Sequence, residues 1–381
     1  MSILKIAILF DTSNGHDIAL LRGITKYSRI HGPWALHKWS AEKPIKLSQL
    51  KKWGADGVIM RQTRKNSKLL SADIPMVVSP FAQKKIEGVG NILGDSEAIG
   101  KMGAEHLLER GLRNFAFCGT RELPWSSVRG ESFKERISKA GFKTHFYKPP
   151  KSKPMHSWEN EQKIMADWLR SLPKPVGILA CNDERAQRVI EACNISGISV
   201  PDHVAVLGIN NDQLLCELSD PPLSSIALSA DRAGYEAARM LHNILSGKKT
   251  NKDTIIIKPL YVVTRPSTDI LQTIDKDLSA ALQYIHQHYK LPVQVNDVAD
   301  AVGVSRRVLE KRFRKYLGRS LHDEIRGVRI EHISWLLLET DMAIARIANT
   351  LGFSCPETFS SFFKRGKGIS PLNYRRKYGN R

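Results

Sequence analysis

The hydrophobic pattern divides the chain into a part where strands and helices alternate and a part that is helical throughout. Apolar runs of strand length recur at 3–10, 56–60, 75–79, 114–118, 176–180 and 204–209. Segments with helical periodicity lie between them, such as 98–110, 128–140, 159–172 and 183–194. Alternation of this kind predicts parallel sheets with helices on both faces, and its length favours two similar α/β subdomains over one sheet.

The strand pattern ends after two last predicted strands, 254–258 and 259–264. The segments that follow all have helical periodicity: 277–289, 295–302, 305–317, 321–340, 344–351, 356–365 and 371–378. At 381 residues the chain is too long for one hydrophobic core. We therefore predict an α/β domain over 1–265, a linker over 266–274 and an all-α domain over 275–381.

The composition is that of an ordinary soluble globular protein, with 42% apolar and 25% charged residues. No apolar run approaches the roughly 20 residues that a membrane-spanning helix needs. The apolar start of the chain is short, interrupted by Lys5 and followed by Asp11, so it predicts a buried first strand rather than a signal peptide. We therefore expect a cytoplasmic protein without a membrane partner.

Cysteine spacing and net charge indicate which metal sites, disulfides and binding partners the chain can have. The five cysteines are scattered, without a Cys-x-x-Cys pair or matching histidine spacing, which argues against a zinc site or a disulfide framework. We expect reduced, mostly buried thiols and no metal or other cofactor. Lys and Arg outnumber Asp and Glu by 58 to 38, and this excess indicates a polyanionic partner such as nucleic acid.

Two segments of the all-α part, 298–313 and 347–363, follow one plan. Each has a short helix, a glycine turn and a serine near the start of a second helix. The glycines are Gly303 and Gly352, and the serines are Ser305 and Ser354. Glycine gives the backbone freedom at the first helix's end and serine can cap the next helix, so the plan is helix-turn-helix construction. The second copy has one extra residue, which we place at its helix start beside Pro356.

The predicted helix 305–317 has the character of a recognition helix. We expect it to bury Val308, Leu309, Phe313 and Leu317, and to expose Arg306, Arg307, Glu310, Lys311 and Arg314. Exposed residues on the N-terminal half of such a helix reach base edges in the major groove. The connector 320–340 is roughly 30 Å long as a helix, close to the roughly 34 Å between recognition helices on one face of B-DNA. A helical dimerisation domain with a basic face is the alternative.

The end of the chain completes the pattern, because seven basic and no acidic residues follow residue 358. This excess suits phosphate contact, and it includes Lys364, Arg365 and Arg375. Over its whole length of about 100 residues, the all-α part resembles the AraC family of regulators. The matching residues are Ala299, Gly303, Ser305, Leu309, Phe313, Gly318, Arg329, Leu336, Leu337, Ile347, Ala348, Gly352, Phe353, Phe363, Lys364, Gly368, Ser370, Pro371, Tyr374 and Arg375.

The AraC resemblance implies which side chains contact bases. In the first unit they would be Arg307, Glu310 and Lys311, and in the second Pro356, Glu357, Ser360 and Ser361. Pro356 has no side-chain donor, and Ser361 replaces the long polar residue common at its position. We therefore expect the second unit to hold phosphate more than to read bases.

The α/β part resembles the LacI-type and periplasmic sugar-binding fold from its first strand to its last. The segments that carry this resemblance are 95–117, 128–133, 180–183, 206–212, 221–226 and 262–268. It implies a two-subdomain, periplasmic-binding-protein-like (type I) sensor. The ligand is then expected in the cleft between the subdomains, where open α/β sheets bind ligands at the carboxyl ends of their strands.

Candidate ligand-binding residues lie where that family places them. They are Asp11, Ser13 and Asp17 after the first strand, Arg129, the later Asn182, Asp183 and Asn210, and the aromatic Trp125 and Trp158. Arg129 can donate to two hydroxyls, and a tryptophan can stack on the apolar face of a sugar. Alternatively, the tryptophans are ordinary core or surface aromatics, and Asp17 caps the helix after the first strand. Asn210 stands where many relatives have Asp.

A LacI-type sensor joined to an AraC-type module is similar to a group of sugar-operon regulators. This resemblance implies a DNA-binding transcription activator, with D-xylose as the expected effector and another pentose or hexose as the alternative. We expect operator DNA, a second copy of the chain and RNA polymerase as partners. Sugar binding would close the cleft and change how the paired modules engage DNA, because the sugar binds the closed form more tightly.

An enzyme and a transport protein are the competing interpretations. The sequence has no Gly-x-Ser-x-Gly elbow, no Walker loop and no His-Glu-x-x-His, and the glycines of 88–94 have the wrong spacing for dinucleotide binding. No catalytic residue is therefore predicted. A transport binding protein would need a signal sequence and would have no use for a DNA-binding module.

Overall fold

The computed structural model describes residues 3–39, 45–120, 123–148, 158–248, 254–269, 275–289, 291–340 and 342–378. The chain splits into two compact units. The first comprises Met1–Leu107 and Arg113–Thr268, and the second Leu108–Leu112 and Asp269–Arg381. Among the helices of these ranges, none is both long enough and apolar enough to cross a membrane.

The first unit is built on two six-stranded sheets. Sheet one contains β1 (Leu4–Leu9), β2 (Trp34–Lys38), β3 (Gly57–Arg61), β4 (Met76–Ser79), β5 (Gly90–Gly94) and β11 (Thr254–Ile257). Sheet two contains β6 (Asn114–Cys118), β7 (Thr144–Phe146), β8 (Val176–Ala180), β9 (Val204–Asn210), β10 (Ser224–Leu228) and β12 (Pro259–Val263). Their orders are β11-β5-β4-β3-β1-β2 and β12-β10-β9-β8-β6-β7. The chain therefore forms two α/β subdomains and passes between them more than once.

Strand direction follows the prediction of parallel sheets. The neighbouring strands are parallel, except that β10 and β12 are antiparallel. Alternate residues of β1 enter two different cores, since Ile6 and Ile8 belong to one cluster and Ala7 and Leu9 to another. Burial on both faces explains why the predicted strands are continuous apolar runs. No such run marks β2 and β7, which lie at sheet edges, or β5 and β10, which lie inside the sheets.

Helices cover the sheets of the first unit. They are α1 (Gly15–His31), α2 (Leu47–Trp53), α3 (Ser96–Leu108), α4 (Pro124–Lys139), α5 (Trp158–Ser171), α6 (Asp183–Ile195), α7 (Gln213–Leu218) and α8 (Ala230–Leu245). α1 and α8 pack closely at Gly23, where an added Cβ would lie 2.6 Å from the Tyr235 nitrogen. The unit ends in a 3-10 helix, Pro266–Thr268.

That 3-10 helix corrects the predicted linker, which began at residue 266. Ser267 is fully buried, and its hydroxyl donates to the Val206 carbonyl at 2.7 Å. Its Oγ also accepts from the Ser224 amide at 2.8 Å. Residues 266–268 therefore belong to the packed first unit, because their polar groups complete the edge of sheet two. Of the remaining predicted linker, Asp269 belongs to the second unit, and 270–274 lie outside the described residues.

The regular secondary structure of the second unit consists of helices throughout its described residues. Its helices are α9 (Lys276–His288), α10 (Val295–Val302), α11 (Arg306–Leu317), α12 (Leu321–Glu339), α13 (Ile344–Thr350), α14 (Pro356–Lys367) and α15 (Pro371–Tyr378). α12 has 19 residues and so spans about 28 Å. It connects two helix-turn-helix pairs, α10 with α11 and α13 with α14, which confirms the predicted double construction.

The two turns differ in how the second helix starts. In the first, Gly303 has a φ of 74° and ends α10, and Ser305 caps α11 by accepting from the Val308 amide at 3.4 Å. In the second, Gly352 has a φ of 71°, but the residue before α14 is Cys355. Ser354 lies near the helix start as predicted, but one residue before the cap position, so it is not the residue that caps the helix. The extra residue of the second copy lengthens its turn, and Pro356 then occupies the first turn of the helix.

Candidate effector cleft and DNA interface

A cavity of about 690 Å³ lies between the two subdomains of the first unit. Its wall is formed by segments at the carboxyl ends of strands in both sheets. Sheet one contributes the residues after β1, β3 and β4, and sheet two those after β8 and β9, with the start of α4. This is the position at which open α/β sheets bind small ligands.

Five of the nine predicted ligand residues line this cavity: Trp125, Arg129, Asn182, Asp183 and Asn210. Asp11 and Ser13 are exposed instead, and the Ser13 amide donates to Asp11 Oδ1 at 2.9 Å. Their side chains follow β1 but remain outside the cavity wall, because α1 begins immediately afterwards. The side chain of Trp158 lies outside the described residues.

Arg129 is the most distinctive residue of the cavity. Its side chain is buried, and Nη1 donates to the Cys181 carbonyl at 2.6 Å. The guanidinium carbon lies 4.5 Å from the centroid of the Trp125 ring. Nε has no hydrogen-bond partner among the described residues, although it is buried. Burial lowers the pKa of Arg129 to about 10. The side chain therefore stays charged near neutral pH and keeps one buried donor available for a ligand.

Asp183 is a buried carboxyl group that follows β8. Oδ1 accepts from the Ser225 hydroxyl at 2.5 Å, and Oδ2 accepts from the Asp212 amide at 2.8 Å. Burial raises the pKa of Asp183 to about 7, although both hydrogen bonds oppose the rise. The neighbouring Asn182 uses its side-chain oxygen to cap α6, accepting from the Arg185 amide at 2.9 Å. The two side chains thus hold the loop that forms one wall.

Asn210 ends β9 in an unusual backbone conformation. Its φ is 117° and that of Asn211 is 52°, a region that residues other than glycine rarely adopt. The turn is held because the Asn211 amide donates to Ser225 Oγ at 2.9 Å, and Arg265 Nη2 donates to the Asn211 side-chain oxygen at 3.0 Å. Strained backbone that neighbours hold in place is concentrated at functional sites.

Asp17 neither lines the cavity nor caps α1, so the predicted ligand contact and the alternative helix cap are both wrong. The cap is Asn14, whose side-chain oxygen accepts from the Asp17 amide at 2.9 Å. Asp17 is fully buried and holds Arg61, whose Nε donates to its two oxygens at 3.0 and 3.1 Å. Arg61 comes from β3 and does line the cavity. Asp17 therefore orients a cavity residue from behind.

Several cavity residues escaped the sequence reasoning, among them His16, Arg61, Thr63 and Ser96. Burial, and then the nearby Arg61, lower the pKa of His16 to about 3, so its ring is neutral at physiological pH. Thr63 Oγ1 and Ser96 Oγ are buried and lack a hydrogen-bond partner within the described ranges. Arg61 and Thr63 stand at the end of the predicted strand 56–60, and this position was the signal that could have found them.

The first recognition helix, α11, presents a mostly basic surface. Leu309 and Phe313 are fully buried, whereas Arg306, Arg307, Lys311 and Arg314 are exposed, as predicted. Glu310 is half-buried and accepts from Arg306 Nε at 3.0 Å. The predicted burial of Val308 is wrong, because 42% of this residue is exposed. It precedes Leu309 by one residue, and a helix turns about 100° per residue.

The second recognition helix, α14, buries Phe359 and Phe363. Of its predicted contact residues, Pro356, Glu357, Ser361, Lys364 and Arg365 are exposed and Ser360 is half-buried. These positions are compatible with an approach to DNA from one side of the helix. Within α14, Glu357 is the charged residue nearest the start of the helix, and the basic residues lie in its last turn.

Arg375 requires a correction, because it was predicted to contact phosphate. It is buried, and its guanidinium donates to the carbonyls of Leu337 at 3.0 Å, Met342 at 2.6 Å and Thr340 at 3.5 Å. These carbonyls lie at and just beyond the C-terminal end of α12, where backbone acceptors lack helical partners. Arg375 therefore fixes the end of the connecting helix against α15.

These features define a class of protein: a transcription regulator with a periplasmic-binding-protein-like sensor and an AraC-type double helix-turn-helix domain. A periplasmic binding protein-like domain matches residues 104–268, and a helix-turn-helix domain matches residues 298–377.

Proteins of known role agree with this class over the whole chain. The xylose operon regulatory protein of Escherichia coli (strain K12) is 30% identical over 380 residues, covering 97% of this chain and 96% of the relative. That of Haemophilus influenzae is also 30% identical over 380 residues, covering 97% and 98%. A solved structure described as the xylose-binding transcription activator xylR has 29% identity and a TM-score of 0.64, covering 100% of this chain and 99% of that one.

The chain therefore belongs to the family of the xylose operon regulatory proteins. It is a transcription regulator and not an enzyme, since relatives that match it over nearly its full length are regulators and the chain has a helix-turn-helix domain. A LacI family regulator from Enterococcus faecium with bound ribose shares the fold of the first unit, at 23% identity and a TM-score of 0.57 over 69% of this chain and 98% of that one.

Proposed function

We propose that this regulator activates a sugar catabolic operon and that D-xylose is its effector. The observation that carries the proposal is the buried guanidinium of Arg129, which lies beside Trp125 and keeps an unused Nε–H. A pyranose supplies hydroxyls for such a donor and an apolar face for an aromatic ring. The relatives named for xylose operon regulation match the chain at nearly full length, and this supports xylose over other sugars.

Effector contacts are assigned to Arg129, Asn182, Asp183 and Asn210, with Trp125 as the stacking residue. Further effector contacts are assigned to His16, Arg61 and Thr63 of the other subdomain, and to Ser96 at the start of α3. The buried, unpartnered groups of Arg129, Thr63 and Ser96 favour this assignment, because a ligand hydroxyl would satisfy donors and acceptors that the described residues leave unused. Both subdomains thus contribute to one site, so that binding favours the closed cleft.

Calorimetric titration of the full chain with D-xylose, L-arabinose, D-ribose and D-glucose tests the proposal. We expect D-xylose to bind most tightly and Arg129→Gln to weaken it about tenfold or more, because hydrogen bonds to charged groups are worth roughly 1.5–3 kcal/mol. The matched control is Arg170→Gln, since Arg170 is exposed on α5 and pairs only at the surface with Asp167. Absence of binding by every sugar, or unchanged affinity of Arg129→Gln, would overturn the proposal.

The DNA half of the proposal gives the two helix-turn-helix pairs different roles. Arg307, Glu310 and Lys311 of α11 are assigned to base contacts, supported by their place on the first half of an exposed recognition helix. In α14 the residues Pro356, Glu357, Ser360, Ser361, Lys364 and Arg365 are assigned mainly to the sugar-phosphate backbone. Arg306 and Arg314, also on α11, would add phosphate contacts.

The regulatory cycle follows from these two sites. Sugar closes the cleft and changes how paired DNA-binding domains engage the operator, and two copies of the chain bind repeated half-sites with higher avidity. RNA polymerase is the partner through which activation would act. Because operator DNA is the target, we place the protein in the cytoplasm.

A further inference from the structure

Val308 is an exposed apolar residue in the first turn of the recognition helix α11. It stands three residues after the cap residue Ser305, and 42% of it is exposed. The residues around it on the helix surface are polar or charged: Arg307 precedes it, and Lys311 follows one turn later. The hydrophobic core beneath α11 contains Leu309 and Phe313, with Tyr316 and Leu317 packed against it.

A valine in this place is unfavourable for the isolated domain. β-Branched residues lose side-chain freedom in helices, and glutamate, lysine or alanine would serve better on an exposed helical surface. The side chain also leaves apolar area in water that burial would remove. A local disadvantage of this kind is expected where a residue serves a binding function.

The major groove of DNA presents one apolar group for such a side chain, the C5-methyl of thymine. Val308 and Lys311 are three residues apart and Arg307 and Lys311 are four apart, so all three project from neighbouring positions on one helical surface. Two cations flank the valine, and cations on a recognition helix suit guanine edges or phosphates. This surface fits DNA better than an apolar protein partner, whose interface core would be poor in charge.

We propose that Val308 recognises a thymine through its methyl group, as a specificity-determining residue of the first helix-turn-helix pair. The inference rests on the proposed function, in which α11 enters the major groove. It adds one base identity to the operator: a thymine next to the base or phosphate contacted by Lys311 or Arg307.

The test uses the full chain and removes single methyl groups from DNA. Duplexes that the protein prefers are first selected from random sequences, in the presence and in the absence of D-xylose. Each thymine of the selected site is then replaced singly by deoxyuridine, and the Kd is measured by fluorescence anisotropy at one fixed salt concentration. The proteins compared are wild type, Val308→Ala, Val308→Thr and Leu291→Ala. Leu291 is the matched control, since it is 57% exposed in the same unit but lies outside α11.

We expect one thymine whose replacement weakens wild-type binding about fourfold, the effect of losing about one buried methyl group. Val308→Ala should bind the thymine and deoxyuridine duplexes almost equally at that position, whereas Val308→Thr keeps one methyl and a partial effect. Leu291→Ala should retain the full effect of wild type. Such coupling between one side chain and one methyl is the signature of direct contact.

Two results would overturn the inference, and they are distinguishable from each other. If a preferred sequence is selected but Val308→Ala keeps the wild-type sensitivity to every methyl, Val308 does not contact a thymine methyl. If no preferred sequence is selected, the proposed function fails and the inference fails with it. Circular dichroism of each variant shows whether the helical domain is intact, which is expected because Val308 is exposed.

Discussion

At the scale of single residues, the cleft contains buried ionisable groups with shifted pKa values and a buried hydrogen-bond donor without an acceptor. Arg129 keeps an unused buried donor, and the pKa of His16 is lowered to about 3, chiefly by burial and then by Arg61, so its ring is neutral. Asp183 is a buried acid whose pKa is raised to about 7, chiefly by burial. Such perturbed groups are typical of ligand sites, where affinity for the ligand has been favoured over local stability.

Asp183 should make the stability of the first unit depend on pH. Its folded pKa of about 7 exceeds the model-compound value of 3.8, so the folded state binds its proton more tightly. The contribution is fully present below pH 3.8 and is lost as pH rises through 7. We expect Asp183→Asn to remove this loss. Urea midpoints of wild type and Asp183→Asn at pH 5 and pH 8 measure it, and an equal change in both proteins would contradict the assignment.

At the scale of secondary-structure elements, α1 and α7 approach each other across the cleft. Asp212 precedes α7, and its Oδ1 accepts from the Leu214 and Leu215 amides at 3.1 and 3.4 Å. Its carboxyl group also faces Gly15 at the start of α1, where an added Cβ would lie 2.6 Å from Asp212 Cγ. The glycine thus permits the two subdomains to come this close.

Gly15→Ala should therefore weaken effector binding, since the added methyl group opposes the closed cleft. We expect a loss of about tenfold in affinity for D-xylose, measured by calorimetry, with little change in thermal stability. Gly327→Ala is the control, because a Cβ at that position of α12 meets no atom within 4 Å. Equal affinities for wild type and Gly15→Ala would show that this close approach does not limit binding.

Two adjacent arginines of α15 should behave differently although their chemistry is the same. Arg375 is buried and donates hydrogen bonds to three backbone carbonyls, whereas Arg376 is exposed. We expect Arg375→Gln to destabilise the second unit by roughly 1–3 kcal/mol, the cost of buried acceptors without donors. Arg376→Gln should leave stability unchanged but lower the salt dependence of DNA binding by about one phosphate contact. Thermal denaturation and salt-dependent anisotropy separate the two, and the reverse pattern would refute the assignment.

The same elements show what could be predicted from sequence. Continuous apolar runs and capped helices leave local patterns, so the alternation of the first unit and the helices of the second were predicted. The interior strands β5 and β10 were missed, because Gly, Asn or Ser residues interrupt their apolar runs. Asp17 and Arg375 were misassigned because their partners are 44 and 33–38 residues away, and only the folded chain brings them together. Val308 was misassigned because an apolar residue beside a buried leucine indicates a core position unless the helix register is known.

At the scale of the whole molecule, we propose that effector binding in the cleft is coupled to DNA binding by the second unit. Coupling between two binding sites is reciprocal: if sugar changes operator affinity by some factor, operator changes sugar affinity by the same factor. The sugar can shift the equilibrium only as far as it prefers one conformation over the other. The claim therefore concerns a difference in affinity that can be measured directly.

The most direct test is the Kd for operator DNA with and without saturating D-xylose, for wild type and Arg129→Gln. We expect the operator Kd of wild type to change by about 5-fold to 150-fold, the usual range of coupling between sites. Arg129→Gln should bind operator as wild type does without sugar, yet respond only at much higher D-xylose concentrations. Identical operator affinity of wild type with and without D-xylose, or an undiminished response of Arg129→Gln, would contradict this proposal.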